Sequence, residues 1–230
     1  MIEVAIAIQF TERWRVGTGS SRTGAVDDET WATDVGEVCA PAKHLKGRLR
    51  EQAEDLAPRV GMVLCAGRLA GQAEVQGPGS CDGERGACPG CRLFGSPRVD
   101  PSWTFGAAVV TLPPIPVDDR VLRRAQRVRT THNRIDHWAR RTAQDLLFTL
   151  EDAREGLEAT ATIAYQYPGQ PPDDELALLV AAVGGLESLG ARRRRGMGAC
   201  TAFVLGAPGG SDHDQWVDRF IDGPWPGTRP

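Results

Sequence analysis

The sequence predicts an α+β fold in which an antiparallel sheet carries two helices on one face. Three observations predict it: four strand-like and two helical stretches in the order β, α, β, β, α, β; two long segments of unusual composition between them; and an ordinary globular composition. Of 230 residues, 41% are apolar and 25% charged, with a mean hydropathy of −0.31. That excludes a wholly disordered chain, a collagen and a disulfide miniprotein, and a chain of this size buries a real core. No apolar run approaches the roughly 20 residues of a membrane helix, and the opening MIEVAIAIQF has neither a basic region nor a signal-like cleavage site. The expected location is cytoplasmic. Six cysteines there point to metal or core thiols before disulfides.

Each element has its own signal. Val4, Ile6, Ile8 and Phe10 fall on one face of Glu3–Phe10, the strand period. RVGTGSSRTG, Arg15 to Gly24, is a flexible glycine- and serine-rich loop. From Pro41 the period becomes helical: Leu45, Leu49, Ala53 and Leu56 line one side, with Lys43, Lys46 and Arg50 roughly 100° away. Residues 75–101, dense in Gly, Pro and Cys, resist regular structure. Trp103–Leu112 is expected as one strand stopped by Pro113 and Pro114, and Leu157–Tyr167 as a clearer one. Asp173 is placed as an N-cap, and Leu176, Leu179, Val180, Val183 and Leu186 form the apolar face of a helix ended by Gly190. Met197–Leu205 is the last strand; Ser211 caps a short helix through Phe220, and a Pro- and Gly-rich tail frays. This order is the ferredoxin-like split βαβ. It implies one domain over residues 1–206, with insertions at about 65–101 and 113–150, and a short helix and tail over 207–230.

Charge is unevenly distributed. The net charge is −3, yet eight Arg against one acid between Arg120 and Arg141 give a local +7, and Arg192, Arg193, Arg194 and Arg195 add +4. A basic stretch on an otherwise acidic protein binds a polyanion locally, although a long charged segment is as often a solvated face. The run GARRRRGMG, Gly190 to Gly198, follows a helix and precedes a strand, where glycines permit close approach and arginines fork onto phosphates.

Cys81, Cys88 and Cys91 form the most specific local pattern. A Cys-x2-Cys pair plus a third thiolate suits structural Zn²⁺, which would order a loop with few apolar residues. Cys65 is the first choice of fourth ligand, then Cys39 or His44. The acids Asp27, Asp28, Glu29 and Asp34 are able to hold Mg²⁺ or act as a base, and in isolation are more often solvated.

Together these pieces resemble the RAMP superfamily of CRISPR effector subunits, and within it the type III backbone protein. The carriers are VGTGSSRTGAVDDETWATD (a glycine-rich loop, then two acids six residues apart), PAKHLKGRLRE from Pro41 to Glu51, CPGCRLFGS from Cys88 to Ser96, and GLESLGARRRRGMG from Gly185 to Gly198. A fifth block, THNRIDHWARRTAQDLLFTLE from Thr131 to Glu151, is similar to that subunit's thumb. Two departures stand out: Ala42-Lys43-His44 replaces Gly-Ser-Ser, and Trp138-Ala-Arg-Arg replaces a Thr-Gly pair.

The resemblance implies an RRM-like core with a zinc insertion and an Arg-rich thumb, polymerising with other effector subunits along a CRISPR guide RNA. Gly17, Gly19, Lys43, His44, Lys46, Arg50, His132, Asn133, Arg134 and Arg192–Arg195 would then contact RNA. Asp28, six residues before Asp34, aligns with the acid that assists Mg²⁺- or other divalent-dependent cleavage of single-stranded target RNA by 2′-OH attack. Alternatives are a non-cleaving structural subunit, a guide-processing nuclease using His44, and a zinc-ribbon regulator binding duplex DNA through the Lys43/Lys46/Arg50 helix.

Overall fold

A computed structural model describes residues 2–21, 26–65, 81, 87–112, 118–136, 138, 140–206 and 213–225. In chain order the elements are β1 (Ile2–Phe10), β2 (Cys39–Ala40), α1 (Ala42–Leu56), α2 (Pro89–Phe94), β3 (Trp103–Phe105), β4 (Ala108–Val110) and α3 (Asp119–Ala125). They continue with β5 (Arg127–Asp136), β6 (Arg141–Ala153), β7 (Glu158–Tyr165), α4 (Asp173–Gly184), β8 (Cys200–Gly206) and α5 (His213–Asp222). Ser211, Pro113, Pro114 and most of the Cys-rich insertion lie outside the described residues. None of the described helices is long and apolar enough to cross a membrane.

The main sheet is antiparallel, in the order β2-β4-β7-β1-β8, with β3 also on β7. β1 is central because both its edges are paired: Ile2–Gln9 align with β7, and Ala5–Phe10 with β8. Its alternating Val4, Ile6, Ile8 and Phe10 are all buried, as are Ala159, Ala161, Ile163 and Tyr165 on β7. Leu45, Leu49 and Ala53 of α1 close over that face. The core strands and helices therefore follow the periods read from the sequence.

Three local features differ from the expectation. Trp103–Leu112 is two strands, because the chain bends at Gly106, whose amide donates to Thr162 O at 2.8 Å. A Cβ there would lie 2.9 Å from that carbonyl, so the bend needs glycine. α4 begins at Asp173, with Pro172 in the cap position, and Asp173, Asp174 and Glu175 place acids in its first turn. It stops at Gly184, well short of Gly190. α4 is also buried from Glu175 to Val183 on every side, since α1, α2, β8 and α5 all pack on it. Trp216 and Phe220 of α5 supply the outer cover.

The Arg-rich segment forms a second sheet: β5 and β6 pair as a hairpin from Arg127↔Ala153 to Asp136↔Arg141. Asp118 caps α3 by accepting the Arg120 amide at 2.7 Å, which delivers the chain into β5. The hairpin's base is held by buried Glu151, with Arg127 at 3.7 Å and Arg129 at 3.8 Å. Arg127 also donates to Gly36 O, and the Val38 amide to buried Gln126.

Candidate functional site

The glycine-rich loop folds back on itself. Thr18 donates to Glu29 O, Glu29 to Ser20 O and Trp31 to Val16 O, while Gly17 pairs with Thr30. This places Gly17 and Gly19 against Asp28. The Gly19 amide donates to Asp28 Oδ1 at 3.2 Å, and a Cβ on Gly17 would meet Asp28 Oδ2 at 2.6 Å. Arg15 Nη1 stands 3.5 Å from Asp28 Oδ2, yet the Asp28 side chain keeps 28% exposure. Asp27 turns the other way: its amide donates to Thr149 O at 2.8 Å and its carboxylate accepts the Thr149 amide at 2.5 Å. The two neighbouring carboxylates thus have separate partners: exposed Asp27 takes the Thr149 amide of β6, and partly buried Asp28 takes the Gly19 amide and stands beside Arg15.

The amino-terminal turn of α1 meets the loop after α4. Lys43 is exposed, while His44 is half-buried and its Nε2 accepts the Gly190 amide at 3.1 Å. Burial, then Arg193 and Arg48, hold the His44 imidazole below its ordinary range, which suits an acceptor nitrogen. Lys46 lies 5.8 Å above the Phe105 ring, and burial followed by Arg50 lowers its ammonium. Arg50 reaches Glu54 at 2.8 Å and Gly95 O at 3.0 Å. In the basic run, Arg193 sits 3.5 Å from Glu51, and Arg193–Arg195 are exposed. Arg192 adopts φ 58° to start the turn. Gly190 is required because a Cβ would lie 2.7 Å from Arg15 O.

His132 and Phe148 pair across the hairpin with ring centroids 5.4 Å apart. Asn133 donates to Thr142 Oγ1 at 3.2 Å, and Arg134 lies in β5, its side chain outside the description. Trp138 at the tip is 98% exposed. At the hairpin base an open cleft of about 510 Å³ is lined by Arg13, Thr130, His132, Asp152 and Arg195. Burial raises the Asp152 carboxyl, opposed by Arg15, Arg192, His132 and Arg13 in that order.

Sequence reading did not single out Arg15, Arg48, Glu151 or Asp152. Arg48 is buried and donates to Ser188 O at 3.2 Å, fixing the segment that leads into the basic run. Its signal was available as a cation on the apolar side of α1, one residue before Leu49. Arg15 and Asp152 carry no local signal, because 137 residues separate them.

The Sγ atoms of Cys65, Cys81, Cys88 and Cys91 all lie within 4.8 Å of one another. Cys65 and Cys91 sulfurs are 3.0 Å apart, and Cys88 and Cys65 sulfurs 3.6 Å. A tetrahedral zinc with bonds of about 2.3 Å spaces its sulfurs about 3.8 Å apart, so the donor set fits. Backbone amides already point at sulfur: Cys65 N–H toward Cys88 at 3.4 Å and Cys88 N–H toward Cys81 at 3.1 Å. Burial, then Cys65 and Cys88, push the Cys91 thiol far up, and burial does the same to Cys81. Partial burial raises Cys88 too, but donors from Cys65 and Cys91 bring it below the usual thiol range. Four crowded thiols need a cation before they all ionise. Cys39 lies instead in β2 and His44 on Gly190. Among the described residues no second group of metal-ligating side chains converges, and Asp27 and Asp28 diverge.

The sequence pattern of the RAMP superfamily matches residues 8–201. No curated protein matches the chain. Among solved structures, a cryo-electron-microscopy structure described as type III-B Cmr-beta in the apo state is similar, with a TM-score of 0.62 and 11% identity. The alignment covers 89% of this chain and 97% of that one, and the likeness is one of fold. The matched span runs from within β1 to the first residues of β8, so it contains the glycine loop, the cysteine cluster, the hairpin and the basic run. The chain belongs to the RAMP superfamily.

Proposed function

We propose that this chain is a guide-RNA-binding subunit of a type III CRISPR effector, and that Asp28 cleaves guide-matched target RNA. The observation that carries the reading is the convergence on Arg15 of three elements: the glycine loop through Asp28, the hairpin base through Asp152, and the basic run through Ala191. The sheet order supports a ferredoxin-like core over residues 1–206, with β5–β6 as the Arg-rich thumb and residues 207–230 appended. Guide RNA would lie over Gly17, Gly19, Lys43 and Arg192–Arg195, reaching His132, Asn133 and Arg134 on the hairpin. The cytoplasm and a complex with further effector subunits complete the assignment.

Chemically, the Asp28 carboxylate takes the proton of a target 2′-OH as that oxygen attacks the adjacent phosphorus; the phosphorus–O5′ bond breaks, leaving a 2′,3′-cyclic phosphate and a 5′-oxygen that takes a proton from water. Only RNA offers that hydroxyl. Among the described residues no Mg²⁺ site is built, since the Asp27 and Asp28 carboxylates diverge and Arg15 stands beside Asp28. Zinc on Cys65, Cys81, Cys88 and Cys91 would cross-link the start of the insertion to α2 near its end, with no part in the reaction.

A second reading has its own support: Asp28 accepts the Gly19 amide, which suits an acid that caps the loop in a non-cleaving subunit. Asp28→Ala in the assembled effector separates the two. Loss of cutting with guide and target binding kept within about threefold supports cleavage, because a loop carboxylate adds no attraction to a polyanion. Loss of binding together with cutting supports the capping role.

A further inference from the structure

We propose that Arg15 is the positioning residue for Asp28, fixing its carboxylate against the glycine loop and tying it to the base of the hairpin. The functional half of this inference rests on Asp28 being the cleaving acid; the geometric half does not.

Arg15 is 5% exposed, an unusual place for a residue that is always charged. Its guanidinium lies between two carboxylates, Nη1 3.5 Å from Asp28 Oδ2 and Nε 3.8 Å from Asp152 Oδ1. Arg15 Nε, Arg15 Nη1 and Asp152 Oδ1 are buried and make no hydrogen bond among the described residues. Charge alone therefore holds the bridge, and neither partner saturates the donors. The Arg15 carbonyl accepts the Ala191 amide at 2.7 Å, which anchors the residue from the opposite side.

Without this cation the Asp28 side chain has one tether among the described residues, the Gly19 amide on Oδ1. One hydrogen bond leaves the carboxylate free to swing. Arg15 engages the second oxygen and fixes the plane. RNA adds a further demand, because its phosphates repel Asp28 as they approach. A buried cation behind the carboxylate offsets that repulsion at short range, where salt screens poorly. Asp152 in turn is the counter-charge that keeps the guanidinium in place, and it belongs to the strand that Asp27 clamps through Thr149. The aim of Asp28 is thus set by the seating of the hairpin.

The test uses the full chain labelled with [¹⁵N]glycine. Arg15→Met alone strands Asp152 in the interior, so Arg15→Met/Asp152→Asn is run beside it, which leaves no unpaired buried charge. Amide exchange at Gly19 should quicken about tenfold, toward the rate in Asp28→Ala, as the opened carboxylate releases it. The Gly190 amide, held by His44, should keep its rate and report an intact fold. In the assembled effector the double variant should lose about tenfold to a hundredfold in kcat with KM and guide affinity within about threefold, and Arg15→Lys should recover part of kcat. Unchanged Gly19 exchange in the double variant overturns the proposal. So does unchanged kcat where Asp28→Ala abolishes cutting. A wild-type effector that never cuts at this subunit overturns the nuclease reading alone, and Gly19 exchange then still decides whether Arg15 positions Asp28.

Discussion

Replacing Arg92 by Met should destabilise the protein severely at neutral pH and much less in acid. Arg92 follows the second cysteine of the Cys-x2-Cys pair and reaches into the core. Its Nε donates to Glu175 Oε1 at 2.6 Å, its Nη2 to Asp174 Oδ2 at 2.5 Å and its Nη1 to Ala87 O at 2.7 Å. Glu175 is 1% exposed and has one other described donor, Trp103 Nε1 at 3.0 Å. Deleting one partner of such a pair leaves the other charge buried, at a cost of about 3–5 kcal/mol. A domain has about 5–15 kcal/mol in all.

The pH dependence follows from Glu175. Burial pushes its carboxyl above the usual range, while Arg92 and then Trp103 draw it back. With a raised folded-state value, the native protein holds a proton that the unfolded chain has released. That contribution is present in acid and is lost as pH rises through the folded value. Removing Arg92 moves the window further up, and each unit of separation is worth about 1.4 kcal/mol. Urea unfolding at pH 5 and pH 7.5, each against wild type at the same pH, cancels any shared loss of metal. Arg92→Met/Glu175→Gln should regain most of the loss at pH 7.5, since the fully buried charge is gone and Asp174, at 15% side-chain exposure, keeps some access to water. A penalty under about 1 kcal/mol, or one equal at both pH values, would refute the reasoning.

Two further outcomes are expected. Cys88→Ser should remove bound zinc from the purified protein by metal analysis and lower stability by several kcal/mol, because three ligands hold the ion far more weakly; zinc retained at one equivalent contradicts this. Arg194→Ala/Arg195→Ala should weaken single-stranded RNA binding alike for every sequence and flatten the log–log salt slope by about 1.4, near 0.7 per phosphate contact. A loss confined to some sequences would assign these arginines to base edges instead.

How much of this was legible in the sequence depends on where each signal resides. β7 declared itself, since one face meets the core and the other is more open, and β1 did so through its alternating Val4, Ile6, Ile8 and Phe10, although Ala7 on its other face is buried as well. The hairpin did not. Its faces are both largely polar, and Arg127, Arg129, Thr131 and Asn133 on one face of β5 give no apolar alternation to read. α4 was read as one apolar face, although Leu178, Ala181 and Ala182 off that stripe are buried too, because a period cannot announce a second cover from α5. The cysteines were legible by spacing, whereas Asp28 was singled out only through the family resemblance. The Arg15 bridge was not, because its partners are assembled by the fold from opposite halves of the chain.

The cover of α4 bears on how this protein is to be handled at the bench. The superfamily pattern ends at residue 201, and a cloning boundary placed soon after β8 looks natural from an alignment. Such a fragment would lose Trp216, Phe220 and Trp225. It would bare a helix that has no polar side to turn outward, and two copies would then shield each other's strip. Dimers or precipitate from a shortened chain would be an artefact of the scissors. Their absence from the 230-residue chain would separate that artefact from any genuine self-assembly along RNA.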